Sequence, residues 1–202
     1  VLSSSSFGPY NINCNGDNNG SIGITVTGGS GPGSYIYSWT TTDGSGLVPI
    51  AEDQNTLTAG SYNLKVTDLY GCQVEFDTVI TQPAPLASTI IPKHITCATP
   101  GLDNGEADIT VTGGVTPYTY LWSNGATSDD ITGLTEGEYI VFITDANGCQ
   151  FTDTVTINLP PDLKIAYSLS DHNGNGFNIS CANYNDGTIN LTTTSGVKPF
   201  IF

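Results

Sequence analysis

The 202 residues carry 19 acidic side chains, four lysines (Lys65, Lys93, Lys164 and Lys198) and no arginine, for a net charge of −15. Such a surface repels phosphate, which argues against nucleic acid and anionic membrane faces as partners. No apolar run is long enough to insert into a bilayer, and glycine, threonine and asparagine dominate without helical periodicity, which favours short strands and turns.

In chain order, residues 1–9 read as a lead-in or a first edge strand. Asn13-Cys14-Asn-Gly-Asp-Asn-Asn-Gly20 is a polar turn. A strand is expected at Ile22–Thr27, a Gly28-Gly29 turn next, and a second strand at Tyr35–Trp39. Residues 40–56 are loop-rich, with a short apolar patch at Leu47–Ile50. A further strand starts near Tyr62, placing Tyr62, Leu64 and Val66 on one face. Asp68-Leu-Tyr-Gly71-Cys72 is a glycine-bearing hairpin turn, and Gln73 to about Thr81 is the strand that leaves it.

The same order then recurs. A lead strand is expected at Leu86–Ile91, followed by Cys97, the turn at Asp103-Asn-Gly105, and two strands around Gly113-Gly114 in Asp108-Ile-Thr-Val-Thr-Gly-Gly-Val-Thr-Pro-Tyr-Thr-Tyr-Leu-Trp122. Leu134…Gly137…Tyr139 matches Leu57…Gly60…Tyr62, and Asp145-Ala-Asn-Gly148-Cys149 matches the earlier hairpin turn, with Gln150–Leu159 as the strand after it. A third pass opens at Leu163–Leu169 and Ile189–Gly196, with an insertion before Cys181. Cys14, Cys97 and Cys181 are 83 and 84 residues apart, so each unit is shorter than 90 residues. The expected division is 1–83, 84–160 and 161–202, the third being the amino-terminal part of a repeat. With no methionine in the chain and the third pass stopping before its tryptophan, the sequence reads as a piece of a longer polypeptide.

Six or seven short strands per unit are what an immunoglobulin-like sandwich needs, so the fold expected is all-β: tandem immunoglobulin-like β-sandwich domains, the third truncated. Trp39 and Trp122 fall on the third strand, where such sandwiches bury a tryptophan. Tyr62 and Tyr139 open the strand where a tyrosine hydroxyl bonds back to the preceding corner. All four are expected in the core.

Two cysteines per unit at matching places read as one bridge within each unit, Cys14 with Cys72 and Cys97 with Cys149. Cys181 is left unpaired by truncation. The partners are 58 and 52 residues apart, which gives each bridge about 4 kcal/mol through chain entropy and implies an oxidising, extracellular setting. Buried free thiols are the alternative. A zinc site lacks the ligands to fill a tetrahedral shell, since His94 stands alone.

The string Cys-x-Gly…Asn-Gly, Ile-x-x-x-Val-x-Gly-Gly, Pro-Tyr-x-Tyr-x-Trp-Ser-Asn-Gly125, closed by Leu-x-x-Gly-x-Tyr…Thr-Asp145-Ala-Asn-Gly-Cys149, resembles the SprB repeat. The resemblance implies a large surface protein of Bacteroidota, exported by the type IX system and carrying many such repeats. The family's namesake is a mobile adhesin of gliding motility. The first unit departs from the pattern: Gly33-Ser34 stands where the second has a proline before Tyr-x-Tyr. Its last strand is also one residue out of step before Asp77-Thr78, which suggests a bulge.

Asp77-Thr78-Val79 and Asp153-Thr154-Val155 resemble the Asp-Thr-aliphatic O-glycosylation site of Bacteroidota; ordinary strand alternation also explains them. Asp171-x-Asn173-x-Asn175-Gly176 opens like a calcium loop but lacks the closing glutamate, since Ala182 holds that place, so a plain polar turn is the simpler reading. Asp17, Asp103 and Asp186 sit in the turns after each first cysteine, as turn caps or weak calcium ligands. No other metal site or cofactor is expected, and no catalytic constellation is recognisable. The expected function is a non-catalytic stalk or display segment of a large extracellular cell-surface adhesin. A glycan-binding module and a filament-forming surface subunit are the alternatives. The expected partners are the rest of the same polypeptide, surface polysaccharide or substratum, and secretion or motility machinery.

Overall fold

Fourteen β-strands, and no helix among the described residues, make up the computed structural model, which describes residues 2–29, 35–96, 103–171 and 186–195. The first six are β1 (Leu2–Ser4), β2 (Gly20–Ile24), β3 (Ile36–Thr41), β4 (Gln54–Leu57), β5 (Gly60–Thr67) and β6 (Gln73–Ile80). They form two three-stranded antiparallel sheets, β1-β2-β4 and β3-β5-β6. In immunoglobulin lettering these are A-B-E and C-F-G.

Period-2 alternation builds the core between them. Ile22 and Leu57 from the first sheet meet Trp39, Tyr62, Leu64, Val66 and Ile80 from the second, with Ile12 closing one end. The loop-rich 40–56 segment contains β4, a strand that its sequence hides. Its first residue, Gln54, is 1 % exposed, and its amide exchanges two 2.9 Å hydrogen bonds with the Val48 backbone. The Trp39 indole N–H donates to the Ala51 carbonyl in the same loop.

The second repeat has the same plan. Strands β7 (Ala87–Lys93), β8 (Gly105–Thr112) and β10 (Ile131–Leu134) form one sheet in the order β10-β8-β7. Strands β9 (Thr119–Trp122), β11 (Gly137–Thr144) and β12 (Gln150–Ile157) form the other in the order β12-β11-β9. That is again A-B-E and C-F-G. Trp122, Val141, Ile143 and Ile157 are fully buried. An identical strand order in two stretches makes the chain all-β and immunoglobulin-like on its own geometry. Finally, β13 (Lys164–Leu169) pairs antiparallel with β14 (Ile189–Ser195), and every β13 residue is exposed.

The chain divides into two compact units. The first takes Val1–Ile90, Ile109–Asp129 and Ile140–Thr154; the second takes Ile91–Asp108, Asp130–Tyr139 and Val155–Phe202. The bulge expected in the last strand of the first repeat is absent: β5 and β6 pair without a shift from Gly60↔Ile80 to Thr67↔Gln73. The one-residue difference is instead taken up by a change of face. Thr78 pairs with Tyr62 and is half-buried, whereas Thr154 lies on the exposed side of β12, next to buried Val155.

Candidate functional site

The chemistry of the chain gathers at one place in the first compact unit, where the A–B turn of repeat one meets the F–G turn of repeat two. The A–B turn is tied down first. The Asn11 and Ile12 N–H groups both donate to the Thr81 carbonyl at 3.0 Å, and the Asn11 side-chain oxygen accepts from Thr81 in return. Asn15 donates to the Pro83 carbonyl and the Gly16 N–H to the Gln82 side chain, at 2.9 and 2.8 Å. The loop is thus held against the end of β6, with Cys14 at its tip.

The F–G turn of repeat two is organised by Asp145, 5 % exposed. One carboxylate oxygen accepts from the N–H groups of Asn147 and Cys149, and the other from Val115, all at 2.9 Å. Three charge-assisted bonds offset the cost of burying the carboxylate. They also fasten the F–G turn to the B–C turn, which the Ala146 N–H reinforces by donating to the Val115 carbonyl at 2.8 Å. Into the same B–C turn comes the segment that joins the repeats. Ala84 accepts from the Gly114 N–H at 2.9 Å. Gly113 must be glycine here: it has φ +76°, and a Cβ would lie 1.9 Å from the Pro85 oxygen.

Across this meeting point Cys14 and Cys149 form a disulfide, Cα–Cα 5.7 Å, closing a separation of 135 residues. This corrects the expected pairing of Cys14 with Cys72 and of Cys97 with Cys149. The reason is topological. In an A-B-E/C-F-G sandwich the A–B and F–G turns lie at opposite ends. A bridge within one repeat would have to cross the length of β6, roughly 25 Å for eight residues, against a reach of about 6 Å. Between consecutive repeats those ends meet. Cys72 is a free, exposed thiol; Cys97 and Cys181 lie outside the described residues.

The other expected positions fall as follows. Trp39, Trp122 and Tyr62 are 2, 1 and 1 % exposed. The Tyr62 hydroxyl donates to the Thr58 carbonyl at 2.8 Å and accepts from the Ser45 N–H at 3.2 Å. Tyr139 bonds the matching Thr135 carbonyl at 3.2 Å but is only half-buried, which corrects its expected place in the core. Asp77 accepts from Asn63, and Asp153 from Ser88. Asp17 accepts from Asn19 within its own turn. Asn173 and Asn175 lie outside the described residues, and among the described residues no cluster of three His, Cys, Asp or Glu could hold a metal. Sequence reasoning missed Asn13 and Asn147 as a pair, and Gln54; the Asp-x-x-Gly-Cys spacing shared by both F–G turns was the available signal for the first.

A search of curated proteins finds no match. Two solved structures resemble the chain at low identity. One is an amphioxus IgVJ-C2 molecule, 15 % identical, covering 64 % of this chain and 93 % of that one at a TM-score of 0.32. The other is the C-terminal 282-residue fragment of intimin in complex with the intimin-binding domain of its translocated receptor, 14 % identical, covering 83 % of this chain and 65 % of that one at 0.39. Those scores carry no argument, and the sandwich assignment rests on the strand order above. The SprB repeat model matches residues 8–44 and 89–127, which hold β2 and β3 in repeat one and β8 and β9 in repeat two. The chain carries SprB-type repeats at these two places.

Proposed function

We propose that this chain is a non-catalytic stalk or display segment of a large extracellular adhesin at the surface of a Bacteroidota cell, exported by the type IX system and serving attachment and gliding. The SprB-type repeats support a surface adhesin-like repeat region. The Cys14–Cys149 bridge carries the mechanical part of the reading. A disulfide joining consecutive repeats routes tension around the intervening chain and implies an oxidising compartment. The −15 charge keeps such an array soluble and self-repelling. Its partners in this reading are the rest of the polypeptide, surface polysaccharide or substratum, and the secretion or motility machinery.

The test is to pull the chain by its two ends in a force spectrometer. With the bridge intact, roughly 450 Å of contour length stays hidden and appears only after reduction. Full extension without reductant removes the load-bearing reading. Antibody labelling of intact cells tests the surface location, and an unlabelled surface refutes it.

A filament-forming role is the second reading, favoured by the two-stranded β13–β14 sheet. Ile165, Tyr167, Ile189 and Leu191 are each more than half exposed, a sheet that further strands would complete. A strictly monomeric chain at high concentration counts against supply of those strands by another molecule.

A further inference from the structure

Repeat one carries the same kind of F–G turn that repeat two uses to receive it, and the cysteine of that turn, Cys72, is a free thiol. Asp68 accepts from the N–H groups of Tyr70 and Cys72 at 3.0 and 2.8 Å, as Asp145 does from Asn147 and Cys149. Gly28 and Gly29 have φ +86° and +70°, the left-handed backbone of Gly113 and Gly114. The frameworks match; the occupancy differs. A Cβ at Gly113 runs into Pro85, and one at Gly114 approaches Leu86 to 3.0 Å, whereas one at Gly28 meets nothing within 4 Å among the described residues. Where repeat two is filled, repeat one has a surface cleft of about 150 Å³ lined by Val26, Gly28, Gly29, Tyr35, Val66 and Cys72. Beside it Leu69 and Tyr70 are 70 and 77 % exposed.

We infer that this end of repeat one is a docking site for another repeat of the same kind, and that Cys72 is the acceptor of that repeat's A–B cysteine. The occupant is a repeat seated on repeat one as repeat one is seated on repeat two. Its joining segment fills the cleft over Gly28–Gly29, and its Cys14-type tip meets Cys72. The bridging rule is then general: each A–B cysteine pairs with the F–G cysteine of the repeat that follows. In each bridge two thiols lose two protons and two electrons to a disulfide-bearing oxidant, which leaves as its dithiol. Leu69 and Tyr70 stand where repeat two has Ala146 and Asn147, so the seat on repeat one is the more apolar of the two. The inference needs only the geometry, not the surface role.

The experiment extends the full chain by a second copy of residues 1–83 placed ahead of Val1, the 83-residue step between Cys14 and Cys97, with Ser6→Thr in the copy as a mass tag. Non-reduced peptide mapping is expected to recover Cys72 joined to the tagged Cys14, with alkylation of Cys72 falling at least tenfold. Cys72 fully alkylated while the original Cys14–Cys149 bridge is intact overturns the proposal. In the same extended chain carrying Cys72→Ser, the Gly28 and Gly29 amides are expected to exchange at least tenfold more slowly than in the unextended chain. Unchanged exchange overturns the docking without reference to sulfur.

Discussion

Asn13 and Asn147, 134 residues apart, face each other across the disulfide and exchange amide hydrogen bonds: Asn147 donates to the Asn13 carbonyl at 2.9 Å and Asn13 to the Asn147 carbonyl at 3.3 Å. The pair ties the two turns together beside the disulfide, independently of the sulfur link. Asn13→Ala and Asn147→Ala are each expected to cost about 1 kcal/mol. Each side chain donates to the other's backbone carbonyl, which alanine keeps, so the double variant should lose about the sum of the two, roughly 2 kcal/mol, in a urea melt; unchanged melts for both single variants remove these bonds from the account.

Removing the bridge should be felt more strongly. Cys14→Ser or Cys149→Ser is expected to lower stability by about 2–5 kcal/mol, the upper end being the chain-entropy value for a 135-residue loop. Cys72→Ser, at an exposed thiol, should leave the melt of the same chain unchanged. Equal losses from Cys72→Ser and Cys149→Ser would return the pairing to within the repeat.

The two tyrosine corners should separate under mutation. Tyr62 is buried and its hydroxyl bonds the Thr58 carbonyl and the Ser45 backbone, so Tyr62→Phe strands the Thr58 carbonyl and should cost about 1–2 kcal/mol, while the Ser45 N–H keeps its bond to the Thr58 hydroxyl. Tyr139 is half-buried with a longer bond, so Tyr139→Phe should cost less than about 0.5 kcal/mol. Urea melts of both variants decide it.

Most of this was legible in the residues. The Trp39 and Trp122 positions, the Tyr-x-Leu-x-Val face and the Gly-Gly turns follow from period-2 alternation and from backbone that only glycine adopts readily. Strand β4 was not legible, because Gln54-Asn-Thr-Leu57 has polar residues at three of four places and is held by Gln54 amide bonds rather than by apolar pairing. The disulfide was misread for a different reason. Counting cysteines per repeat assigns partners by sequence neighbourhood, whereas the sandwich puts Cys14 and Cys72 at opposite ends. The strand order, once lettered, forbids the local pairing.

Tyr37 offers a pH test. Burial, then a hydrogen bond to Glu52, then the nearby carboxylates of Glu52 and Asp53 and the neighbouring Tyr35 hold its phenol above the ordinary 10. A group whose folded value is raised contributes stability that is complete below the unfolded value and lost as pH rises through the folded one. Stability should therefore fall above pH 10, and Tyr37→Phe should flatten that part of the profile. Parallel profiles for the two proteins from pH 8 to 11.5 would exclude the contribution.

The two Asp-Thr-Val strings should also differ. Thr154 is exposed and Thr78 half-buried on the face of Tyr62, so a sugar added to the folded protein goes to Thr154. Peptide mapping of native material checks it: occupancy at Thr78 with Thr154 bare contradicts the assignment, and an intact mass equal to the sequence mass dismisses the modification.

The sulfur link also changes what a protease can do. The lysines at 65 and 93 both lie between Cys14 and Cys149. A cut after either one severs the backbone yet leaves the amino-terminal piece and the carboxy-terminal piece fastened together. Such a chain can be nicked between its two cysteines without coming apart.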